Sequence, residues 1–285
     1  MQHAMAQGAR GGLPANIALM QMIVAADSPD DIDAVLHGRE GDPLRLAEMR
    51  QLWQDNPQAW NVIRSVLAEV GEPGAAATPA EEIALWRGVF DRVAAISGEG
   101  SVALYSLGNP AILRAATAEI VGRLDEWGLL GPTGDVLDFG CGNGRIEEAL
   151  SAKVASIVGV DVSGSMVKAA GIRCRGLGNV RFEQSTGEDL RPFADASFDL
   201  VLAVDSFPYL VQPGLLLAQT MMREAARILR PGGSFVILNF SYRGDGETDL
   251  RDARLLAETA GFRLRREGTR DFSLWDGRAF HFLKL

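Results

Sequence analysis

The stretch Asp135–Arg145 constrains the fold of this chain more than any other feature. It reads Asp-Val-Leu-Asp-Phe-Gly-Cys-Gly-Asn-Gly-Arg, so a short apolar run leads into three closely spaced glycines. The run predicts a buried strand, and Ile146, Ala149 and Leu150 predict a helix directly after the glycines. Strand, glycine turn and helix in this order bring backbone close to a ligand at the carboxyl end of the first strand of an α/β sheet. The free N–H groups at the start of that helix favour an anionic group.

The spacing of the glycines separates two classes of protein. The pattern is G-x-G-x-G rather than the G-x-G-x-x-G of dinucleotide-binding proteins, and an aspartate lies two residues before the first glycine. This segment resembles motif I of the class I S-adenosylmethionine (SAM)-dependent methyltransferases. The resemblance implies cofactor contacts from the motif residues Asp138, Gly140, Cys141, Gly142, Asn143 and Gly144.

Three later segments resemble the same family. Ile157–Asp161 is a predicted strand that ends in an acid, Phe198–Asp205 resembles the family's F-D-x-V strand, and Leu229–Gly233 resembles its L-R/K-P-G-G turn. Because the segments occur in the family's order, they are far more specific together than the glycines alone. The resemblance covers about residues 105–285. It implies an α/β fold with a Rossmann-like seven-stranded sheet and helices on both faces.

The acid at the end of the second strand is the candidate ribose ligand. A carboxylate at Asp161 can accept hydrogen bonds from both ribose hydroxyls, as the acid in this position does in ribose-binding folds. Capping of the next helix together with Ser163 is the alternative. By the resemblance, Val162 packs on the adenine ring and Met166 lies under it.

Two further segments are expected to touch the cofactor. After the third predicted strand, Thr186 occupies the place of an acid that reads the adenine edge in the family, so any carboxylate role moves to Glu188 or Asp189. Thr186, Gly187 and Glu188 are the predicted cofactor contacts in this segment. Ahead of motif I, the chain often closes over SAM in the family, which implies a contact of Tyr105 with the methionine end. Packing of Tyr105 between the helical extension and the core is the alternative.

The end of the fourth strand is expected to face the transferred methyl group. Val204, Asp205 and Ser206 are the predicted cofactor contacts, and Asp205 and Tyr209 are the candidate catalytic residues. Methyl transfer requires positioning and exclusion of water, and a general base helps when the acceptor is a hydroxyl or a protonated amine. Relatives that methylate planar nitrogens carry [DN]-P-P-[YF] here, of which only Pro208 and Tyr209 are present, which argues against nucleobase or amide methylation. A capping role is the alternative for Asp205.

Three other side chains have two interpretations each. Tyr242 and Trp275 either line an apolar acceptor pocket or pack in the interior. His281, on the last predicted strand, is interpreted as a structural residue rather than a catalytic base.

The chain ahead of the motif is predicted to be helical. No strand signal appears before residue 100, so residues 1–100 are expected to form a helical N-terminal extension and residues 101–285 the SAM-binding domain. Ser28 and the pair Thr78/Glu81 are predicted helix caps. Residues 1–12 are expected to be irregular and residues 71–78 a linker. The extension is predicted to act as a lid or substrate wall, with a homodimer interface as the third option.

Composition excludes several classes of partner. The net charge of −9 argues against nucleic acid, which needs a concentrated basic surface. Two cysteines are too few for a disulfide framework or a three-cysteine iron–sulfur cradle, and no metal is expected. The apolar run Ile17–Ala26 is too short to span a membrane, and Gln21 interrupts it. We therefore expect a cytoplasmic protein without a membrane partner or an export signal.

These observations predict a SAM-dependent methyltransferase acting on an oxygen or nitrogen atom of a small-molecule acceptor, such as a specialised metabolite. An NAD-dependent oxidoreductase is disfavoured by the glycine spacing and by Leu229–Gly233. An aminopropyltransferase needs an acidic pair near the fourth strand, where Asp205 stands alone. A non-catalytic SAM-fold subunit that binds a partner is the alternative from another class, although neither the glycines nor the ribose acid are degenerate.

Overall fold

The computed structural model describes residues 13–38, 42–71 and 78–285. The predicted irregular start at 1–12 and most of the predicted linker at 71–78 lie outside these residues. The helices that precede the sheet are α1 Ala15–Ala25, α2 Pro29–Leu36, α3 Pro43–Asp55, α4 Ala59–Val70, α5 Pro79–Val93 and α6 Pro110–Glu126. The prediction of a helical region ahead of the sheet is thereby confirmed.

The predicted helix caps are present. Ser28 accepts a hydrogen bond from the backbone N–H of Asp31, whose carboxylate accepts one from the Ser28 N–H in return. Thr78 and Glu81 form the same reciprocal pair at the start of α5, with N–O distances of 2.9 and 3.3 Å. Such boxes satisfy backbone donors that the first turn of a helix leaves free.

Seven strands form one mixed sheet, which confirms the predicted fold class. The strands are β1 Asp135–Phe139, β2 Ser156–Asp161, β3 Val180–Gln184, β4 Phe198–Val204, β5 Leu229–Leu238, β6 Phe262–Thr269 and β7 Ala279–Lys284. Their order in the sheet is β3-β2-β1-β4-β5-β7-β6. The first five strands are parallel and β7 runs antiparallel to both neighbours. The connecting helices are α7 Arg145–Leu150, α8 Gly164–Arg173, α9 Pro208–Val211, α10 Leu215–Ile228 and α11 Gly246–Ala260.

Two predicted strand ends were wrong by a few residues. Leu229–Gly233 was expected to form a turn, but β5 begins at Leu229, which pairs with Phe198 before a shift in register. The irregular pairing accommodates the proline and glycines of the turn inside the strand. The fourth strand was expected to include Asp205, but β4 ends at Val204 because Asp205 has a left-handed backbone with φ 62°.

The described residues divide into two compact units. The first unit contains residues 13–38, 42–71, 92–119 and 272–276. In it α1 contacts α2, α3 and α4. Its fully buried side chains include Ile17, Leu19, Met22, Ile23, Ile32, Leu36, Met49 and Ile63.

The second unit contains residues 78–91, 120–271 and 277–285, and therefore the whole sheet. Segment 78–91 belongs to it because Ile83 lies in the core of the sheet unit and the Asp91 carboxylate accepts hydrogen bonds from Ser163 Oγ and Ser165 N. The predicted domain boundary at residue 100 thus differs from the grouping of the compact units, and the two-domain division stays a prediction.

Candidate functional site

The glycine turn after β1 requires glycine for steric reasons. Gly140, Gly142 and Gly144 have φ values of 77°, 53° and 78°, in the left-handed region that favours glycine. The N–H of Gly140 donates to the carbonyl of Val160 at the end of β2, at 2.8 Å. A Cβ atom at Gly140 would lie 2.3 Å from Cβ of Ser206. The turn therefore leaves no room for a side chain at its first glycine.

Ser206 joins the end of β4 to the end of β1. Its Oγ donates a hydrogen bond of 2.5 Å to the carbonyl of Phe139, the last residue of β1. Because β1 and β4 are parallel neighbours, their carboxyl ends meet at one edge of the sheet. The structure thus brings the predicted motif I residues together with the predicted residues Val204, Asp205 and Ser206.

Asp161 orients the glycine turn. It is 8% exposed, its Oδ2 accepts from the N–H of Gly142 at 2.9 Å, and its Oδ1 accepts from the N–H of Ser163 at 2.9 Å. Burial raises the pKa of this carboxyl, and the two backbone hydrogen bonds oppose that rise. Ser163 caps α8 by accepting from the N–H of Met166, which is buried. Each Asp161 oxygen keeps a second lone pair, so the local bonds and a ribose contact are compatible, and the ribose contact stays a prediction.

The predicted adenine-side residues fall into two groups. Val162 and Gly187 lie together, since a Cβ atom at Gly187 would be 2.7 Å from Val162 Cγ1 and 2.9 Å from Ile83 Cγ2. Thr186 and Glu188 are exposed, and the Thr186 hydroxyl accepts from the N–H of Glu188 at 3.3 Å. Their contacts with a cofactor stay predictions.

The other motif I side chains are buried beneath the turn. Asp138, Cys141 and Asn143 are between 1% and 4% exposed. Burial raises the pKa of the Cys141 thiol, which keeps it neutral and unreactive. Burial also raises the pKa of Asp138 to about 7. The carboxyl of Glu147 lies in the same region, fully buried.

The ends of β4 and β5 are held in an unusual conformation. Asp205 and Asn239 both have positive φ values, 62° and 72°, which are uncommon for residues other than glycine. Asn239 Nδ2 donates to Asp205 Oδ1 at 2.6 Å, and the Tyr242 hydroxyl donates to the same oxygen at 3.0 Å. Left-handed backbone costs on the order of 1–3 kcal/mol per residue and persists only where its surroundings enforce it, typically at functional sites.

Four rings, Trp86, Phe90, Tyr209 and Tyr242, form what we call the aromatic cluster. The ring of Tyr209 lies 4.5 Å from Trp86, 5.3 Å from Phe90 and 5.7 Å from Tyr242, in each case edge to face. The hydroxyls of Tyr209 and Tyr242 are 3.5 Å apart. Burial raises the pKa of Tyr209 above its usual range, so this phenol stays protonated. The cluster therefore joins the predicted catalytic residue Tyr209 to Asp205 through the Tyr242 hydroxyl.

Sequence reasoning did not find four of these side chains: Trp86, Phe90, Glu147 and Asn239. Trp86 and Phe90 are four residues apart on α5, a spacing that equally indicates an ordinary apolar helix face. Glu147 lies beside the apolar stripe of Ile146, Ala149 and Leu150 on α7 rather than within it, so the apolar spacing does not predict its burial.

Tyr105 lies in the first unit. It is buried, its ring stacks on Trp275 with centroids 6.0 Å apart, and its carbonyl accepts from Asn16 Nδ2 at 3.0 Å. The packing interpretation given above for Trp275 agrees with this contact, and the cofactor contact of Tyr105 stays a prediction. On β7, His281 Nε2 lies 2.8 Å from Ser234 Oγ, and burial lowers the histidine pKa to about 4.

The described residues contain neither a cluster of metal-ligand side chains nor a membrane-spanning helix. Over residues 13–38, 42–71 and 78–285, no three His, Cys, Asp or Glu side chains are grouped as metal ligands would be. Within the same part of the chain, no helix combines the length and the apolar character needed to cross a bilayer.

Comparison with known proteins finds two similar sequences and one solved structure with the same fold. The chain is 32% identical over 108 residues to a demethylmenaquinone methyltransferase of Tropheryma whipplei (strain Twist), covering 38% of this chain and 42% of that protein. It is 33% identical over 136 residues to the 27-O-demethylrifamycin SV methyltransferase of Amycolatopsis mediterranei (strain S699), covering 46% of this chain and 47% of that protein. The chain thus spans about half the length of these curated relatives. The magnesium protoporphyrin IX methyltransferase of Synechocystis PCC 6803, solved with bound SAM, shares the fold with a TM-score of 0.54 at 18% identity, over 75% of this chain and all of that one.

A family model described as a methyltransferase domain matches residues 137–237. The match begins in β1 and ends in β5, so it contains the glycine turn, Asp161 and the end of β4. Over these residues, the chain is therefore similar to the methyltransferase domain that the family model describes.

Proposed function

We propose that this protein transfers the methyl group of SAM to an oxygen or nitrogen atom of a small-molecule acceptor. The observation that carries the proposal is the joining of three strand ends at one edge of the sheet. Gly142 is bonded to Asp161, and Ser206 is bonded to Phe139. SAM supplies a methyl group that is already activated on a sulfonium, so the protein has mainly to position the acceptor and exclude water.

The residues of the glycine turn fit SAM. Gly140 leaves the turn open because no side chain fits there, and Asp161 can accept from a ribose diol. Oδ1 of Asp138 is a buried acceptor with no hydrogen-bond partner among the described residues, which suits a cationic ligand group. SAM offers each of these chemistries in one molecule: a diol, an ammonium and a sulfonium.

The end of β4 supplies the acceptor side of the proposed site. Asp205 is held by Asn239 and Tyr242, so its carboxylate is fixed in position as a candidate general base. The aromatic cluster provides a largely apolar wall beside it, which suits a planar acceptor and helps exclude water. Two relatives are named for demethylmenaquinone and 27-O-demethylrifamycin SV, and these names support a small-molecule acceptor.

We also propose roles for the rest of the chain. The helical extension is proposed to shape acceptor selectivity as a lid or wall, or to form a homodimer interface, which light scattering of the purified protein would reveal. The two cysteines are free and buried, which supports a cytoplasmic location. A partner-binding subunit without catalysis and an aminopropyltransferase-like enzyme are the competing functions.

Isothermal titration with SAM, S-adenosylhomocysteine and NAD tests the proposal. The wild type is expected to bind the first two with micromolar affinity and NAD weakly or not at all. Asp161→Ala should weaken both sulfur nucleosides at least tenfold, because the ribose acceptor and the bond to Gly142 are lost. Asp125→Ala removes an exposed acid that pairs with Lys153, and it should change nothing. Binding of NAD alone would overturn the proposal, and binding of no ligand would favour the non-catalytic subunit.

A further inference from the structure

Asp138 and Glu147, which we call the acid pair, place two carboxyl groups side by side beneath the glycine turn. Asp138 on β1 is the register partner of Gly159 on β2, so both face the same side of the sheet. A Cβ atom at Gly159 would lie 2.4 Å from Oε1 of Glu147. The Glu147 carboxyl therefore lies directly over Gly159 and next to Asp138. The two residues are 1% and 0% exposed.

The absence of a side chain at Gly159 on β2 makes room for the Glu147 carboxyl. A glycine in the interior of a strand weakens the strand and often marks a close approach of another group. The group here is the carboxyl of Glu147, and the ring of Phe182 also lies 2.7 Å from the position of the missing Cβ. The strand thus contains a glycine where Glu147 needs the space.

The acid pair needs a proton. As carboxylates, neither oxygen of Glu147 nor Oδ1 of Asp138 finds a donor among the described residues. Two buried acceptors in contact cannot both be ionised, because burial and mutual repulsion each favour the neutral form. Burial and the charge of Asp138 raise the pKa of Glu147 well above its usual range, so Glu147 holds the shared proton.

Other ionisable groups around the pair adjust its charge. The positive charge of Arg145 favours an ionised Asp138, and the negative charge of Asp161 opposes it. Burial raises the pKa values of two nearby thiols, which therefore stay neutral. These thiols belong to Cys141 in the turn and to Cys174 after α8.

We propose that protonated Glu147 is a positioning residue, which keeps Asp138 ionised and oriented toward the cationic part of SAM. This inference rests on the proposed function. The role of Glu147 follows from its pairing with Asp138. A protonated Glu147 carboxyl can donate one hydrogen bond to the Asp138 carboxylate, whose remaining lone pairs can still accept from a ligand. Asp138 lies two residues before the first glycine of the turn. An ionised Asp138 carboxylate therefore places a negative charge next to the proposed cofactor site.

Three ligands separate the cationic groups. SAM carries an ammonium and a sulfonium, S-adenosylhomocysteine carries the ammonium alone, and 5′-methylthioadenosine carries neither. Each is titrated calorimetrically at pH 7.5 into the wild type, Glu147→Gln and Glu147→Leu. Glu147→Gln keeps a donor in the same place, and its affinities should stay within about threefold of the wild type. Glu147→Leu removes the donor, so the buried Asp138 takes up a proton, and SAM binding should weaken at least tenfold while 5′-methylthioadenosine stays within threefold.

Proton release on binding gives a second readout. Titration of SAM in two buffers with different ionisation enthalpies measures the protons released. Glu147→Leu should release more protons at pH 7.5 than the wild type, because SAM must displace the proton from Asp138. Equal weakening of all three ligands in Glu147→Leu would indicate a structural role alone and overturn the inference, as would no weakening. If the wild type binds neither SAM nor S-adenosylhomocysteine, the proposed function fails as well.

The stability of the ligand-free protein gives a readout that does not depend on binding. The folded-state pKa of Asp138 is raised to about 7, so the unfolded chain releases this proton first as pH rises. The proton on Asp138 therefore stabilises the folded protein fully below about pH 4, and this stabilisation is lost as the pH rises to about 7. The proton on Glu147 extends the loss of folding stability to higher pH. Thermal unfolding of the wild type should show a larger loss of stability from pH 5 to pH 8 than that of Glu147→Gln. Equal losses would contradict a shared proton.

Discussion

The ends of β1 and β4 lie side by side in the sheet, yet they are built in different ways. The turn after β1 uses backbone: three glycines with positive φ and N–H groups bonded to Val160 and Asp161. The end of β4 uses side chains, because Asp205 is fixed by Asn239 and Tyr242 and is bordered by the aromatic cluster. A backbone site suits a ligand that every family member shares, whereas a side-chain site can vary with the acceptor.

The difference also concerns strain. At the glycine turn the left-handed backbone costs little, since glycine adopts it readily. At the end of β4 and β5, Asp205 and Asn239 adopt it without that freedom. Their mutual hydrogen bond and the Tyr242 hydroxyl hold the conformation in place. We infer that the glycine turn after β1 tolerates almost no added atoms. The end of β4 is expected to tolerate changes of side chain, with a loss of turnover.

The largest expected effect is at Gly140. Gly140→Ala places a Cβ atom 2.3 Å from that of Ser206, so Ser206 must move and its bond to Phe139 must break. With a φ of 77°, alanine is strained as well. We expect a loss of stability of about 2–4 kcal/mol from strain and overpacking, and SAM binding weakened at least a hundredfold. Chemical denaturation and calorimetry measure the two effects.

Gly176→Ala is the matched control for that substitution. Gly176 has a φ of 93°, but a Cβ atom there meets nothing within 4 Å. The variant should lose only about 1–2 kcal/mol through backbone strain and should bind SAM normally. If the two variants bound SAM equally well, the close contact at Gly140 would have no part in forming the site.

The sequence was sufficient for the first region because its interactions are local. The strand, the glycines and the helix of motif I are consecutive, and the acid ending β2 follows the same alternation of strands. The fold class followed from the same pattern. The end of β4 was found only in part, because its partners come from α5, α9 and the chain after β5, and nothing in the spacing of Trp86 or Asn239 indicates that they meet.

Three other differences have physical causes. The positive φ of Asp205, which ends β4 one residue early, depends on a bond to Asn239 that sequence spacing does not show. Glu147 was overlooked because a glutamate side chain is expected to be exposed to solvent. Only the pairing with Asp138 offsets the free-energy cost of burying it. The grouping of segment 78–91 with the sheet depends on single contacts such as Asp91 with Ser163.

A smaller effect is expected at Asp205, where the charge can be removed without changing the backbone. Asp205→Asn keeps a residue type that tolerates positive φ and keeps an oxygen for Asn239 and Tyr242. Loss of the base should lower kcat about a hundredfold or more, while the Kd for SAM stays within about threefold. Methyl transfer from labelled SAM to an acceptor found by screening measures kcat.

Asp199→Asn is the control on the same strand. Asp199 lies near the start of β4, where it pairs with Arg230 and accepts from the N–H of Asp135. Turnover should be unchanged in this variant. Equal turnover in the wild type and Asp205→Asn would remove Asp205 from the chemistry and leave it a structural role at the strand end.

The smallest expected effect is at Tyr242, and it separates the two tyrosines of the aromatic cluster. Tyr242→Phe removes a donor that lies 3.0 Å from the Asp205 carboxylate, whereas Tyr209→Phe removes a hydroxyl whose contact with Tyr242 is longer, at 3.5 Å. Because a hydrogen bond to a charged group is worth more than one between neutral groups, turnover should fall about three- to tenfold in Tyr242→Phe and less in Tyr209→Phe. Tyr242 is 57% exposed, so its loss of stability should stay within about 0.5 kcal/mol. The reverse order of the two variants in kcat would assign the contact with the acceptor to Tyr209 and would make the end of β4 an aromatic surface rather than a carboxylate fixed by hydrogen bonds.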